Sequence, residues 1–496
     1  MKRYERHADA LAQLIHSGAL RAGDRMPSVR ETSRARGISP STVFAAYDLL
    51  EAQGLVHARP RSGYYVSHRQ PSATDRVPAE PQPSAPHDGS RGVEISDLVF
   101  DVLGSARDPH LVPLGSAFPG PELFPLARLA RCLSSGMRRL DPAAIVQHLA
   151  PGDERLRQQI ALRYGLHGMA VDAAEIVTTN GAMEALNLCL EAITQPGDIV
   201  VLESPTFYAA LQALERLRLR AVEITTHPRE GIDLGALERA LRAHPVKACW
   251  LMPTFQNPLG STLPEERKEA LVALLARHGV PLIEDDVYGE LHFAPRRPPP
   301  AKAFDTGGQV LHCSSFSKCL APGYRVGWVA AGRFAGAVQR LKLMTTLSTA
   351  TPSQQALSEY LDQGGYDRHL RQLRGTLARQ QARARALIAE HFPPGTRVSR
   401  PDGGYFLWVE LPQSVDALAL HRAALGRGIS LAPGHLFSTD RRFSHCVRIN
   451  CGHPAAAHFD EALRTVGALA GALCRDGSTG AATDCYQINS NRGNDD

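Results

Sequence analysis

The 496-residue sequence contains no apolar run long enough to span a bilayer, so a membrane-embedded role is not expected. Its N-terminus, Met1-Lys2-Arg3-Tyr4-Glu5-Arg6, lacks the apolar stretch and small-residue cleavage site of a secretory signal, and a cytoplasmic location is expected. The nine cysteines are scattered and odd in number, with no Cys-x-x-Cys pair, which argues against a disulfide framework and for reduced thiols. Cys319, although close to Lys318, is read as a packing residue. Gly-x-Gly-x-x-Gly, Gly-x4-Gly-Lys-Ser/Thr and His-Glu-x-x-His are all missing. Nucleotide and zinc chemistry lose their usual sequence support, and no metal is expected.

What is present is ordinary for a soluble globular protein, with 43% hydrophobic and 21% charged residues. The length implies about three packing units. Charge is unevenly placed: residues 1–70 hold eleven Lys/Arg against six Asp/Glu, which accounts for the whole formal excess of +5. Residues 71–93 follow as a flexible linker. From Pro71 to Gly92 they contain five prolines and almost nothing apolar, so burial cannot offset the entropy of ordering them. The body is expected over 94–474. Residues 475–496, rich in Gly, Ser, Asn and Asp, are expected to be a disordered tail.

Within the first 70 residues, Ala8-x-x-Leu11-x-x-Leu14-Ile15 has helical spacing, broken at Gly23-Asp24. Ser28 followed by Glu31 is a capping-box pattern, opening a second helix that ends at Gly37. Ser39-Pro40 starts a third helix through Val43, Ala46, Tyr47, Leu50 and Leu55. Two helices around a tight glycine turn form a helix-turn-helix, and Val56 to Val66 then alternates as two short strands around a basic turn, a wing.

This stretch resembles the GntR family of winged-helix transcription regulators over residues 4 to 67, through Pro27-Ser28-Val29-Arg30-Glu31, Ser39-Pro40-Ser41-Thr42-Val43, Ala46-Tyr47 and Ser62-Gly63-Tyr64-Tyr65-Val66. The resemblance implies a DNA operator as partner. Ser41 and Thr42 then lie where a recognition helix meets base edges, and Arg30, Arg59 and Arg61 neutralise phosphate or enter a groove. Pro40 and Phe44 depart from the arginine that relatives commonly carry near the start of this helix, which weakens base readout or places it differently.

Beyond the linker, apolar runs alternate with helical stretches: Ile176–Thr179, Ile199–Leu202, Ala221–Ile224, Ala248–Met252, Pro281–Ile283 and Val310–Cys313. Such alternation predicts an α/β sheet with functional residues at strand ends. The candidates fall there. Thr179-Asn180-Gly181-Ala182-Met183 leads from a strand into a helix whose free amides suit a phosphate. Ser204-Pro205-Thr206-Phe207-Tyr208 offers an aromatic face, and Asn257 an amide on a turn. Glu284-Asp285-Asp286-Val287-Tyr288 puts three acids at a strand terminus, equally readable as solvent-facing caps. Ser314-Ser315-Phe316-Ser317-Lys318, Arg325 and Val447-Arg448-Ile449-Asn450 complete the set.

In this order the pieces resemble fold-type I pyridoxal 5′-phosphate (PLP) enzymes of the aspartate aminotransferase superfamily, from about Pro113 to Gly452. The resemblance implies that Lys318 carries PLP as a Schiff base and that Asp285 pairs with the pyridine nitrogen. It implies that Asn257 and Tyr288 bond the phenolic oxygen and that Phe207 stacks on the ring. Ala182, Met183, Ser315, Ser317 and Arg325 hold the phosphate, and Arg448 binds an amino acid's carboxylate. His148 stands where relatives have a tyrosine reaching the neighbouring subunit's phosphate.

Head, linker and body together resemble the MocR/GabR-type subfamily of GntR regulators. The resemblance implies a PLP-dependent, DNA-binding, homodimeric transcription regulator that senses an amino acid or amine. The alternative is a catalytically active aminotransferase in which the head is secondary.

Overall fold

The computed structural model describes residues 3–16, 19–21, 23–52, 55–59, 62–66, 78–105, 108, 110–140, 149–453 and 458–487. The chain forms two compact units that divide after Val77.

The first unit holds helices α1 (Arg3–His16), α2 (Val29–Arg36) and α3 (Pro40–Ala52), then the antiparallel hairpin of strands β1 (Val56–Arg59) and β2 (Gly63–Val66). Local chemistry sets these boundaries. Ser28 accepts from the Glu31 amide while Glu31 reaches back to the Ser28 amide, so two free helix-end donors are satisfied together. Gly37 ends α2 in the left-handed region, at φ 62°. Ser39 caps α3 by accepting from the Thr42 amide at 3.2 Å. Ala8, Leu11, Val43, Ala46, Tyr47, Leu50, Val56 and Val66 make one small core.

The second unit is built on an eight-stranded sheet. Its strands are β3 (Ile176–Thr179), β4 (Ile199–Ser204), β5 (Arg220–His227), β6 (Gly231–Ile232), β7 (Val246–Leu251), β8 (Leu282–Asp285), β9 (Val310–Ser315) and β10 (Gly327–Ala330), in the order β3-β10-β9-β8-β7-β4-β5-β6. Neighbours from β9 through β8, β7 and β4 to β5 pair in parallel, and β10 and β6 run antiparallel. Strands covered on both faces read as unbroken apolar runs, which is why they stand out in the sequence. A four-stranded antiparallel sheet follows, of β11 (Arg397–Val398), β12 (Phe406–Glu410), β13 (Ala432–Pro433) and β14 (Cys446–Asn450), in the order β11-β12-β14-β13. Among the described residues no helix is long and apolar enough to cross a membrane.

Two expected boundaries need correction. Residues 78–93, read as flexible linker, lie along the second unit. The carbonyls of Pro78, Ala79 and Ala85 accept from Arg400, the Val398 amide and Arg442. Ser84 donates to the Ser204 carbonyl at 2.6 Å and accepts from the Thr226 amide, Glu80 pairs with Arg229 at 2.8 Å, and Arg91 exchanges both backbone bonds with Ala221. A proline-rich segment is extended in advance and presents free carbonyls, so backbone bonding anchors it with little apolar burial. The tail also begins later than expected. The last helix, Phe459–Gln487, keeps helical backbone well past residue 475, since no proline interrupts it there.

Candidate functional site

The carboxyl ends of β3, β8 and β9 open onto a cavity of about 220 Å³. Lys318 lies on its wall together with Asp285, Tyr288, Asn257, Phe207, Ala182, Met183, Ser315, Ser317 and Arg325, which gathers in one place ten residues spread over more than 140 positions. Parallel strands bring this about, because every connection returns the chain to the same edge of the sheet.

Asp285 is the last residue of β8 and is buried. Burial first, and then the neighbouring Asp286, push its carboxyl up to about 7. Among the described residues its Oδ1 has no hydrogen-bond partner, and neither has Nδ2 of Asn257. Each such orphan costs about 1–3 kcal/mol. The cavity therefore presents a lone acceptor and a lone donor, and suits a planar ligand with a protonated nitrogen at one edge and an oxygen at another.

The three consecutive acids are all buried, so none is a solvent-facing cap. Glu284 accepts from the amides of Ala301 and Lys302, and Asp286 pairs with Arg297 and with His312 Nε2 at 3.0 Å. Only Asp285 is left facing the cavity. Tyr288 meets Tyr405 and Phe406 edge-on, at centroid distances of 5.6 Å, and burial raises its hydroxyl well above the usual range.

Lys318 follows the end of β9. Its Nζ donates to the Ala117 carbonyl at 2.8 Å and lies 3.7 Å from the Phe118 ring centroid. Burial, then the charge of Arg448, and also Arg325, bring the amine down to about 7 against the pull of Asp285. An amine so placed is substantially uncharged at neutral pH and can act as a nucleophile.

At the other end of the cavity Gly181, at φ 86°, turns the chain into the helix Ala182–Ile193. Among the described residues no side chain caps this helix, so its first amides and the positive end of its dipole are available to an anion. Arg325 Nη2 reaches the Asn180 carbonyl at 3.2 Å, and Nη1 lies 3.5 Å from Ser317 Oγ. A Cβ on Gly181 would approach Arg325 Nη2 to 2.4 Å, so the loop needs glycine for this guanidinium to lie across it. Free amides, two serine hydroxyls and an arginine have the chemistry of a phosphate cradle.

Arg448, from the middle of β14, is fully buried and stands behind the cavity wall rather than on it. Nη1 donates to Asn257 Oδ1 at 3.0 Å, and Nη2 donates to the carbonyls of Gly115 and Ser116 at 2.9 and 3.3 Å. The segment Gly115–Phe118 thus holds both Arg448 and Lys318, and Tyr405 donates to its Ala117 carbonyl at 3.0 Å. This segment and Tyr405 were missed in the sequence. The one available signal was the Gly-Ser-Ala-Phe-Pro-Gly bracket at 115–120. Cys319 is buried against the Tyr366 hydroxyl at 3.1 Å, and burial holds its thiol up at about 12.

In the head, Arg30 and Ser41 are exposed and Thr42 is half-buried. The Ser39 hydroxyl lies 2.9 Å from that of Ser41 and 2.8 Å from that of Thr42. Arg59 is placed in β1 by its backbone alone; its side chain, Arg61 and His148 lie outside the described residues.

A mainly parallel sheet with a lysine-bearing cavity at its carboxyl edge, preceded by a winged helix-turn-helix, defines a fold-type I aminotransferase-like protein with a GntR-type head. Residues 149–466 match the aminotransferase class I and II family and residues 3–66 the bacterial regulatory proteins of the gntR family, and the chain belongs to both. It is 49% identical to the uncharacterized HTH-type transcriptional regulator YdcR of Escherichia coli (strain K12), over 95% of this chain and 99% of that one. It is 39% identical to the uncharacterized HTH-type transcriptional regulator YjiR of the same strain, over 94% and 98%. Among solved structures it is similar to LysN, the α-aminoadipate aminotransferase of Thermus thermophilus complexed with N-(5′-phosphopyridoxyl)-L-leucine. That likeness has a TM-score of 0.69 and 27% identity, and covers 76% of this chain and 98% of that one.

Proposed function

We propose that this chain is a PLP-dependent, DNA-binding transcription regulator that senses an amino acid or amine in the cavity of its body. The observation that carries the proposal is the cavity itself, where the unpaired Asp285 Oδ1 and Asn257 Nδ2 share a wall with the amine of Lys318 in a chain that also bears a GntR-type head. Relatives matching over 94% or more of the chain carry the name of HTH-type transcriptional regulators.

Lys318 would hold PLP covalently and Asp285 its ring nitrogen, with Asn257 and Tyr288 on the phenolic oxygen and Phe207 against the ring face. Ala182, Met183, Ser315, Ser317 and Arg325 would hold the phosphate. When bound, PLP supplies a protonated ring able to draw electrons from a substrate carbon. An ionised Asp285 would keep that ring nitrogen protonated, and the low proton affinity of Lys318 would leave its amine free to attach and detach near neutral pH. Arg448 would take a ligand carboxylate once the Gly115 and Ser116 carbonyls give way.

A homodimer joined through the bodies is the assembly expected of this family. A ligand that favours one arrangement of such a dimer about tenfold shifts its equilibrium by about 1.4 kcal/mol, enough to change operator occupancy without turnover. Residence in the cytoplasm follows from this role.

The Lys318 amine at about 7 also favours a second reading, a working aminotransferase, since it can carry a proton at neutral pH. The test is to screen amino acids and amines for a change in the visible spectrum, then to measure operator footprints and ketoacid formation with each hit. A regulator changes its footprint with little ketoacid. Brisk multiple turnover with indifferent footprints and promoter output assigns the protein to the enzyme reading.

A further inference from the structure

On α3, Val43, Ala46, Tyr47 and Leu50 are fully buried, whereas Pro40, Ser41, Phe44 and Asp48 face outward. Phe44 is 51% exposed, a large apolar ring on the open side of the helix that follows the turn. Its polar neighbours are partly engaged: Ser41 and Thr42 lie within hydrogen-bond distance of Ser39, and Asp48 accepts from the Tyr64 hydroxyl at 3.2 Å. Arg30, Arg34 and Arg36 stand exposed on the adjoining α2.

In a helix-turn-helix the second helix lies in the major groove, with its first turns against base edges. The apolar group displayed there is the thymine 5-methyl. Resting on the DNA-binding reading above, we propose that Phe44 is a specificity-determining residue that reads a thymine methyl, so that apolar contact supplies sequence information that the Ser39-linked hydroxyls do not. A neighbouring protein surface would also accept a phenyl ring. The exposed arginines of α2 favour a polyanion, and the proposal commits to duplex DNA.

The test uses the full-length, PLP-loaded protein. Preferred duplexes are selected from a random library, and each thymine is then replaced in turn by deoxyuridine, which keeps every hydrogen-bonding group and removes only the methyl. At one or two positions in each half-site the parent should lose about fourfold in affinity, the worth of one buried methyl. F44A should bind the unmodified duplex more weakly and be indifferent to uracil at those same positions, while F44L keeps part of the methyl effect. Because Phe44 is exposed, an unchanged melting temperature in F44A separates lost contact from lost fold. Equal uracil dependence in parent and F44A overturns the proposal, as does a change in F44A confined to oligomeric state without DNA. If the parent itself selects no sequence, the DNA-binding reading fails, and Phe44's role with it.

Discussion

Arg448 donates through Nη1 to Oδ1 of Asn257, 3.0 Å away, while Nδ2 of the same asparagine, which lines the cavity, has no partner among the described residues. The guanidinium therefore fixes which end of the amide is offered to a ligand. Its other hydrogen bonds go to the carbonyls of Gly115 and Ser116, which a ligand carboxylate must replace. R448K removes the fork and keeps the charge. Its apparent affinity for amino acids, read from the change in visible spectrum, should fall about tenfold or more, the worth of one charge-assisted hydrogen bond. Affinity for the corresponding amines, which lack the carboxylate, should move by less than about twofold. An equal loss for both ligand classes rules out a carboxylate contact.

Lys318 makes cofactor loading dependent on pH. An ordinary lysine stays charged up to 10.5, whereas burial and the charges of Arg448 and Arg325 lower this one to about 7. Attack on a carbonyl needs the free base, which is about a tenth of the population at pH 6, half at pH 7 and nine-tenths at pH 8. Protein stripped of PLP should therefore bind it covalently at a rate that rises through pH 7 and levels off above 8. Stopped-flow growth of the visible band measures this rate, and a rise continuing to pH 10 would place the amine in an ordinary environment. K318A should take up PLP noncovalently at most, with no borohydride-stable label.

Ser84 tests the docked half of the proline-rich segment. It donates to Ser204 at the end of β4 and accepts from the Thr226 amide of β5, so S84A leaves an acceptor and a donor without a partner. The expected cost is about 1–3 kcal/mol. In the full-length protein the body's melting transition should move down by a few degrees, and the head's transition should not move. Unchanged melting would mean that residues 78–91 do not hold the body together.

The parallel strands were legible because both faces are covered, so each reads as an apolar run; their ends then located the candidate segments at 284–288 and 314–318, within which the family resemblance picked out Asp285, Ser315 and Lys318. The smaller sheet was not. Arg397–Val398 and Ala432–Pro433 have two residues each, too few to show any period. The segment 115–118 acts on Lys318 and Arg448 through carbonyls, which every residue has, so no side-chain pattern announces it. The docking of residues 78–91 was hidden for the same reason. The fates of the three acids Glu284, Asp285 and Asp286 differ only in which neighbour the fold brings to each, and that information is not local.

Arg30, exposed on α2 beside the recognition helix, separates phosphate contact from base readout. A phosphate contact contributes equally on every sequence, because its energy comes from counterion release, whereas a base contact contributes only on the preferred site. R30A should therefore weaken specific and nonspecific binding by a comparable factor and leave their ratio intact. The slope of log affinity against log salt should become shallower by about one. Electrophoretic shifts of the full-length protein across a salt series, on a selected duplex and on a scrambled one, give all of these quantities. An unchanged slope with unchanged affinity rules Arg30 out as a contact. A loss confined to the selected duplex, with the slope intact, would reassign it to base readout and give α2 a share of the specificity now assigned to α3.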